Sequence, residues 1–138
     1  MDVEATKESV DWEGIPPALI YVVDDDVLLG QIVETILLME GFRVANFSDP
    51  LAAWVAFEQA VEKPDLLVTD YVMRPYNGME LIQKCRAISP KLRTLLYSGN
   101  APAQIVDLYA MKPNAFIAKP FLPKSLVTLI ESLLLQSA

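Results

Sequence analysis

Histidine is absent from the 138 residues, and cysteine occurs once, as Cys85. Without imidazole, any metal ion must be held by oxygen ligands, and no histidine can serve as acid or base. A lone cysteine excludes an internal disulfide, and its place in MELIQKCRAI points to a helix face rather than a reactive thiol. Basic residues are outnumbered as well: 11 Lys and Arg stand against 18 Asp and Glu, a formal net charge of −7, with no basic stripe. That balance argues against a nucleic-acid partner and favours cations or proteins. No apolar run reaches membrane-spanning length, and the acidic N-terminus MDVEATKESVDWEG lacks the apolar core of a targeting signal. A cytoplasmic protein with no membrane partner is expected. Internal repeats and low-complexity tracts are missing too.

What remains is an apolar-rich chain of one-domain length. With 53% hydrophobic residues it can fill a core, and at this size folding buries roughly two-thirds of the unfolded surface. Residues 1–17, polar and ending in Pro16 and Pro17, read as a flexible leader from which Trp12 can dock onto the domain; residues 18–138 read as the domain. Leu19 to Val23 is a continuous apolar run stopped by Asp24, Asp25 and Asp26, the pattern of a buried parallel strand ending at a polar rim. Val27 to Glu40 carries Leu29, Ile32, Val33, Ile36 and Leu37 at helical spacing, with Asp26 as cap and Gly41 as stop. Phe42 to Phe47 predicts a second strand, and Ser48 or Asp49 before Pro50 opens a helix to about Val61. Leu66 to Thr69 predicts a third strand, then a helix from about Asn77 to Ile88, a strand over Leu92 to Tyr97, a helix over Ala101 to about Met111, a strand over Ala115 to Ala118, and a last helix over about Pro123 to Gln136. Five strands alternating with five helices imply an α/β fold: a doubly wound, five-stranded parallel sheet of flavodoxin-like type.

The carboxyl ends of such strands share one edge, where open α/β sheets bind ligands. Asp24 and Asp25 fall there from the first strand, Asp70 from the third, Ser98 from the fourth and Lys119 from the fifth. Taken singly, Asp70 also reads as a cap or turn residue, Ser98 as a loop serine, Lys119 as a surface lysine and the acid run as a solvated turn. Together, clustered carboxylates repel by about 4 kcal/mol per pair at 4 Å and an effective dielectric of 20. A hard divalent cation relieves this, and carboxylates without His or Cys favour Mg²⁺. Magnesium beside a lysine and a hydroxyl suits phosphoryl transfer, with Asp70 as the nucleophile.

The motifs YVVDDD, LLVTDYVMRPYNGMEL, LLYSGNA and FIAKPF, each at an expected strand end, resemble those of bacterial response-regulator receiver domains of the chemotaxis type, over roughly residues 18–138. The resemblance implies a (βα)5 receiver in which Asp70 is the phosphoacceptor. Asp24 and Asp25, with Asp70 and the backbone carbonyl of Val72, would hold Mg²⁺, for which Mn²⁺ can substitute. Ser98 would be the switch hydroxyl, Lys119 the lysine on the phosphoryl group, Pro120 its cis-proline partner, and Phe116 the switch aromatic. It further implies a histidine kinase or histidine phosphotransfer protein as donor, and a changed surface of fourth helix, fifth strand and fifth helix as output. Leu133, Leu134 and Leu135 point in three directions around the last helix, so part of that surface is expected to meet an unidentified downstream protein or a second copy, as a homodimer.

The sequence departs from the family pattern at several places. Arg74 holds the position after Met73 where the family usually has proline, and Pro75 follows one later. Arg74 is therefore expected over the site or at a partner. Apolar Val72 gives an attacking water no side-chain partner and Gly99 leaves room for a donor, so the phosphoryl lifetime should differ from the family average. Gly30 is a poor helix former near the surface that kinases usually grip. The expectation is a stand-alone receiver, not an enzyme beyond its own phosphorylation and dephosphorylation. Two rivals stay open: a phosphorylation-independent interaction module with this fold, and a Mg²⁺-dependent phosphohydrolase, whose usual DxDxT signature is missing.

Overall fold

Each apolar run named above enters one sheet. A computed structural model describes residues 14, 16–99, 109 and 112–135. Leu19–Val23 (β1), Arg43–Phe47 (β2), Leu66–Asp70 (β3), Arg93–Ser98 (β4) and Ala115–Ala118 (β5) pair in parallel in the order β2-β1-β3-β4-β5. Val27–Met39 (α1), Pro50–Gln59 (α2), Gly78–Ile88 (α3) and Pro123–Leu135 (α4) are the four helices among the described residues. The fifth predicted helix, over 101–111, lies outside the described residues, as do Trp12 and all of the predicted leader except Gly14, Pro16 and Pro17.

Successive strand residues face opposite sides of the sheet, so the apolar runs fill two cores at once. Ile20, Val22, Val68 and Leu95 pack with Val33 and Leu37 of α1 and with Leu126, Ile130 and Leu133 of α4. Tyr21, Val23, Leu67 and Leu96 pack with Ala53 and Phe57 of α2 and with Met79, Leu81, Ile82 and Cys85 of α3. All five residues of the central strand β3 are buried. Of the three consecutive leucines of the last helix, Leu133 is buried, Leu134 half-buried against the core and Leu135 exposed.

The element boundaries follow local chemistry. The Asp26 carboxylate accepts from the Leu29 N–H at the start of α1, and Gly41, at φ +90°, lets the chain leave its end. Phe42 donates to Leu37 O as an extension of that turn, so β2 begins at Arg43 rather than Phe42. Asp49 caps α2 ahead of Pro50. That helix stops at Gln59, short of the predicted Val61, with Ala60 extended and the Lys63 ammonium donating to Phe57 O and Glu58 O. Asn77 and Glu80 form a reciprocal capping box at the start of α3. β3 runs one residue further than predicted, to Asp70, and β4 covers Arg93–Ser98 in place of Leu92 to Tyr97. Pro17 is tied to the sheet, its carbonyl accepting from Arg43 Nε at 2.8 Å.

Candidate functional site

Strand order reverses between β1 and β3: β2 lies to one side of this pair, and β4 and β5 to the other. Their carboxyl ends therefore open a crevice. Asp24 follows β1, Asp70 ends β3, Ser98 ends β4 and Lys119 follows β5.

Asp24 is fully buried, and its backbone N–H donates to Phe47 O at 3.0 Å. Its Oδ1 accepts from the Asp26 N–H at 2.9 Å and its Oδ2 from the Tyr97 hydroxyl at 2.8 Å. Asp70 is 6% exposed. The turn after it is closed by the Tyr71 N–H on Tyr97 O at 3.1 Å and by the Gly78 N–H on Tyr71 O at 2.9 Å. Helix α3 begins so close that a Cβ on Gly78 would lie 2.1 Å from Asp70 O. Only glycine allows that approach. Lys119 is held through its N–H, 3.0 Å from Ser98 O, and its Nζ reaches Asp70 Oδ2 at 3.1 Å and Asp24 Oδ2 at 3.8 Å. The Lys119–Pro120 peptide is cis, as is Arg74–Pro75.

One ligand oxygen each from Asp24, Asp25 and Asp70 lies within 4.8 Å of the others. Burial raises the Asp24 carboxyl above its ordinary value; the Asp26 N–H, the Tyr97 hydroxyl and Lys119 act against that rise, and the Asp70 charge adds to it. Three carboxylates facing one lysine leave two formal negative charges in excess. The donor set is all oxygen, and two oxygens on opposite sides of one Mg²⁺ stand about 4 Å apart at about 2.1 Å each. The cluster therefore fits a small hard divalent cation.

Ser98 is buried at the end of β4, the strand next to Asp70. Phe116 on β5 stands opposite Leu96 and is half-buried against the α2 and α3 core, to which Tyr71 and Tyr109 also pack. Val72 is exposed on the turn two residues beyond Asp70, and Arg74 is exposed beside it.

Residues 20–131 match the response regulator receiver domain family. The chain belongs to that family. It is 32% identical over 115 residues to a probable transcriptional regulator, ycf27, of Cyanophora paradoxa, covering 83% of this chain and 47% of the relative. It is 34% identical over 118 residues to the DNA-binding transcriptional regulator NtrC of Azospirillum brasilense, covering 83% of this chain and 24% of that protein. The chain thus spans about half the length, or less, of these curated relatives. Among solved structures, a CheY-like receiver domain protein of Methanospirillum hungatei superposes with a TM-score of 0.78 at 26% identity, covering 86% of this chain and 94% of that one. The receiver assignment places the chain in two-component signalling, among phosphoacceptor modules that bind Mg²⁺ through acidic residues; Asp24, Asp25 and Asp70 form such an acidic group. Among the described residues no helix is long and apolar enough to cross a membrane.

Four features of this receiver are not legible in the sequence. From the sequence Tyr97 reads only as a strand residue, yet a tyrosine inside a buried strand needs a partner for its hydroxyl, and that need is the available signal. Gly78 falls at the start of the helix predicted from about Asn77, where nothing in the sequence marks its approach to Asp70 O. The Tyr71 hydroxyl lies 3.3 Å from that of Tyr109, which also accepts from Asn77 Nδ2 at 3.2 Å. The bond to Tyr109 pushes the Tyr71 phenol up to about 12. Gly30, read as a weak helix position, is buried, with its Cβ position 3.2 Å from Asn46 Oδ1 and 3.7 Å from Asp24 Cβ.

Proposed function

We propose that Asp70 accepts a phosphoryl group from a phosphohistidine of a histidine kinase or phosphotransfer protein. The observation that carries this reading is the Lys119 ammonium, 3.1 Å from Asp70 Oδ2, at the edge of a carboxylate cluster that fits Mg²⁺. An Asp70 carboxylate oxygen attacks phosphorus, and the P–N bond of the donor breaks with its electron pair returning to the imidazole. Asp24, Asp25, Asp70 and the Val72 carbonyl would hold Mg²⁺, or Mn²⁺ in its place. When bound, the ion supplies charge neutralisation for the phosphoryl oxygens.

Lys119 moves from pairing Asp70 and Asp24 to pairing the new dianion, and Ser98 donates to a phosphoryl oxygen. The added charge at a buried site biases the packing around Ser98 and Phe116. Phe116 is half-buried against the core that also holds Leu96. The surface thereby altered is that of β5 and the last helix, where a downstream protein or a second copy would bind; the predicted helix over 101–111 lies outside the described residues. The Azospirillum brasilense relative named as DNA-binding is covered by this chain over 24% of its length, and the net charge of −7 argues against nucleic acid as a partner of this chain.

Intact-mass analysis after incubation with acetyl phosphate tests the reading. One added phosphoryl group is expected in wild type with Mg²⁺, and none in Asp70→Asn or in EDTA. No adduct in wild type with Mg²⁺ would overturn it and favour a phosphorylation-independent interaction module.

A further inference from the structure

Tyr97 stands one residue before Ser98, on the opposite face of β4, with its ring wholly buried among Ile20, Val22, Val68 and Leu126. Its hydroxyl is spent on Asp24 Oδ2, at 2.8 Å, across 73 positions of sequence. The same ring lies under the Lys119 ammonium, 4.8 Å from the ring centroid. One side chain thus touches the most buried acid of the cluster and its neutralising lysine. Nothing in the phosphoacceptor chemistry above calls for a phenol there.

A carboxylate turns readily about its last torsion. In Asp24 that torsion is fixed from both ends, by the Asp26 N–H on Oδ1 and the Tyr97 hydroxyl on Oδ2. Each oxygen keeps a further lone pair. The cation–π contact meanwhile holds Lys119 beside Asp70 rather than over Asp24, matching ammonium distances of 3.1 and 3.8 Å. We propose that Tyr97 is a positioning residue for the metal centre, setting the Asp24 carboxylate and the Lys119 ammonium in place before a cation arrives. The inference rests on the reading of Asp24, Asp25 and Asp70 as a Mg²⁺ site.

Replacement by phenylalanine keeps the ring and removes the donor. The Lys119 ammonium is then the nearest remaining partner for Oδ2, so Asp24 turns towards it and away from the shared centre. Loss of a hydrogen bond that orients a metal ligand typically weakens metal binding by about 10- to 100-fold.

The test is calorimetric titration of Mg²⁺ into the full chain as wild type, Tyr97→Phe and Asp25→Asn, with thermal unfolding of each in EDTA. Wild type should bind one Mg²⁺, Asp25→Asn should bind it far more weakly, and Tyr97→Phe should lose about tenfold in Kd while still unfolding cooperatively. Equal Kd for wild type and Tyr97→Phe overturns the positioning role and leaves the metal site standing. Failure of wild type to bind Mg²⁺ overturns both. A second measurement needs no variant: the Tyr97 hydroxyl proton in NMR spectra should exchange slowly with water and shift as Mg²⁺ saturates. A hydroxyl resonance that ignores Mg²⁺ also refutes the proposal.

Discussion

The Gly78→Ala variant tests the link between fold and site most directly. A β-carbon there would stand 2.1 Å from Asp70 O, 3.0 Å from Asp70 C and 2.9 Å from a Leu96 methyl. Comfortable heavy-atom contacts lie near 3.5 Å, so the shortfall against the carbonyl is more than about 1 Å. Two of the three obstacles are backbone of the strand that carries Asp70, which no rotamer change can clear. Alanine gains at most about 1 kcal/mol in helix propensity. Overpacking of this kind costs about 1–3 kcal/mol or more. The carbonyl contact places this case at the upper end, so a net loss of about 2 kcal/mol is expected, or a Tm lower by about 6–8 °C for a domain of this size. If α3 and the end of β3 separate to relieve the clash, Asp70 moves by a comparable distance, and a 1 Å misplacement can cost about 10²-fold in rate. Thermal unfolding and the rate of acetyl phosphate labelling, run side by side, read both consequences. Gly99→Ala is the internal control for the unfolding measurement, since among the described residues a β-carbon there meets only Lys119 Cβ, at an ordinary 3.7 Å. Gly78→Ala melting within about 1 °C of wild type, well inside the shift expected for 1 kcal/mol, would refute the steric argument.

Asp24 makes stability depend on pH. Its folded-state pKa is raised, chiefly by burial, so the folded chain holds this proton more tightly than the unfolded one. Its contribution is present in full below the unfolded value, about 3.9, and is lost as pH rises through the raised folded value. In EDTA at pH 7, Asp24→Asn should therefore unfold at a higher temperature than wild type, with the gap closing as pH falls towards 4; a less stable variant at pH 7 would contradict this. Saturating Mg²⁺ should reverse the order, since an ion at 100 times its Kd adds about 2.7 kcal/mol to wild type. Cys85 is buried on the inner face of α3, and burial pushes its thiol up to about 12. It should resist thiol reagents at pH 8 until the domain unfolds, whereas fast labelling of native protein would show that α3 opens locally.

The strands were legible because each is an apolar run bounded by acids, prolines or glycines, and the helices because Asp26, Asp49 and Asn77 cap them within one turn. Asp24, Asp25, Asp70, Ser98 and Lys119 could be named as candidates for the same reason: a strand that stops at a polar residue delivers it to the carboxyl edge of a parallel sheet. Signals that act within a few residues determined those features. Only the tertiary structure decided which of these groups touch. The Lys119 and Asp70 side chains meet across 49 positions, and Tyr97 reaches Asp24 across 73. Both contacts depend on strand order and register, which place β1, β3, β4 and β5 side by side with their ends level. The need for glycine at position 78 likewise appears only when α3 packs against Asp70. Lys63, whose ammonium donates to Phe57 O and Glu58 O at the end of α2, reaches them through the path of the chain after the helix, beyond the reach of the helical period. Local chemistry chose the elements and their polar ends; the close approach of backbones distant in sequence arranged those ends into a site.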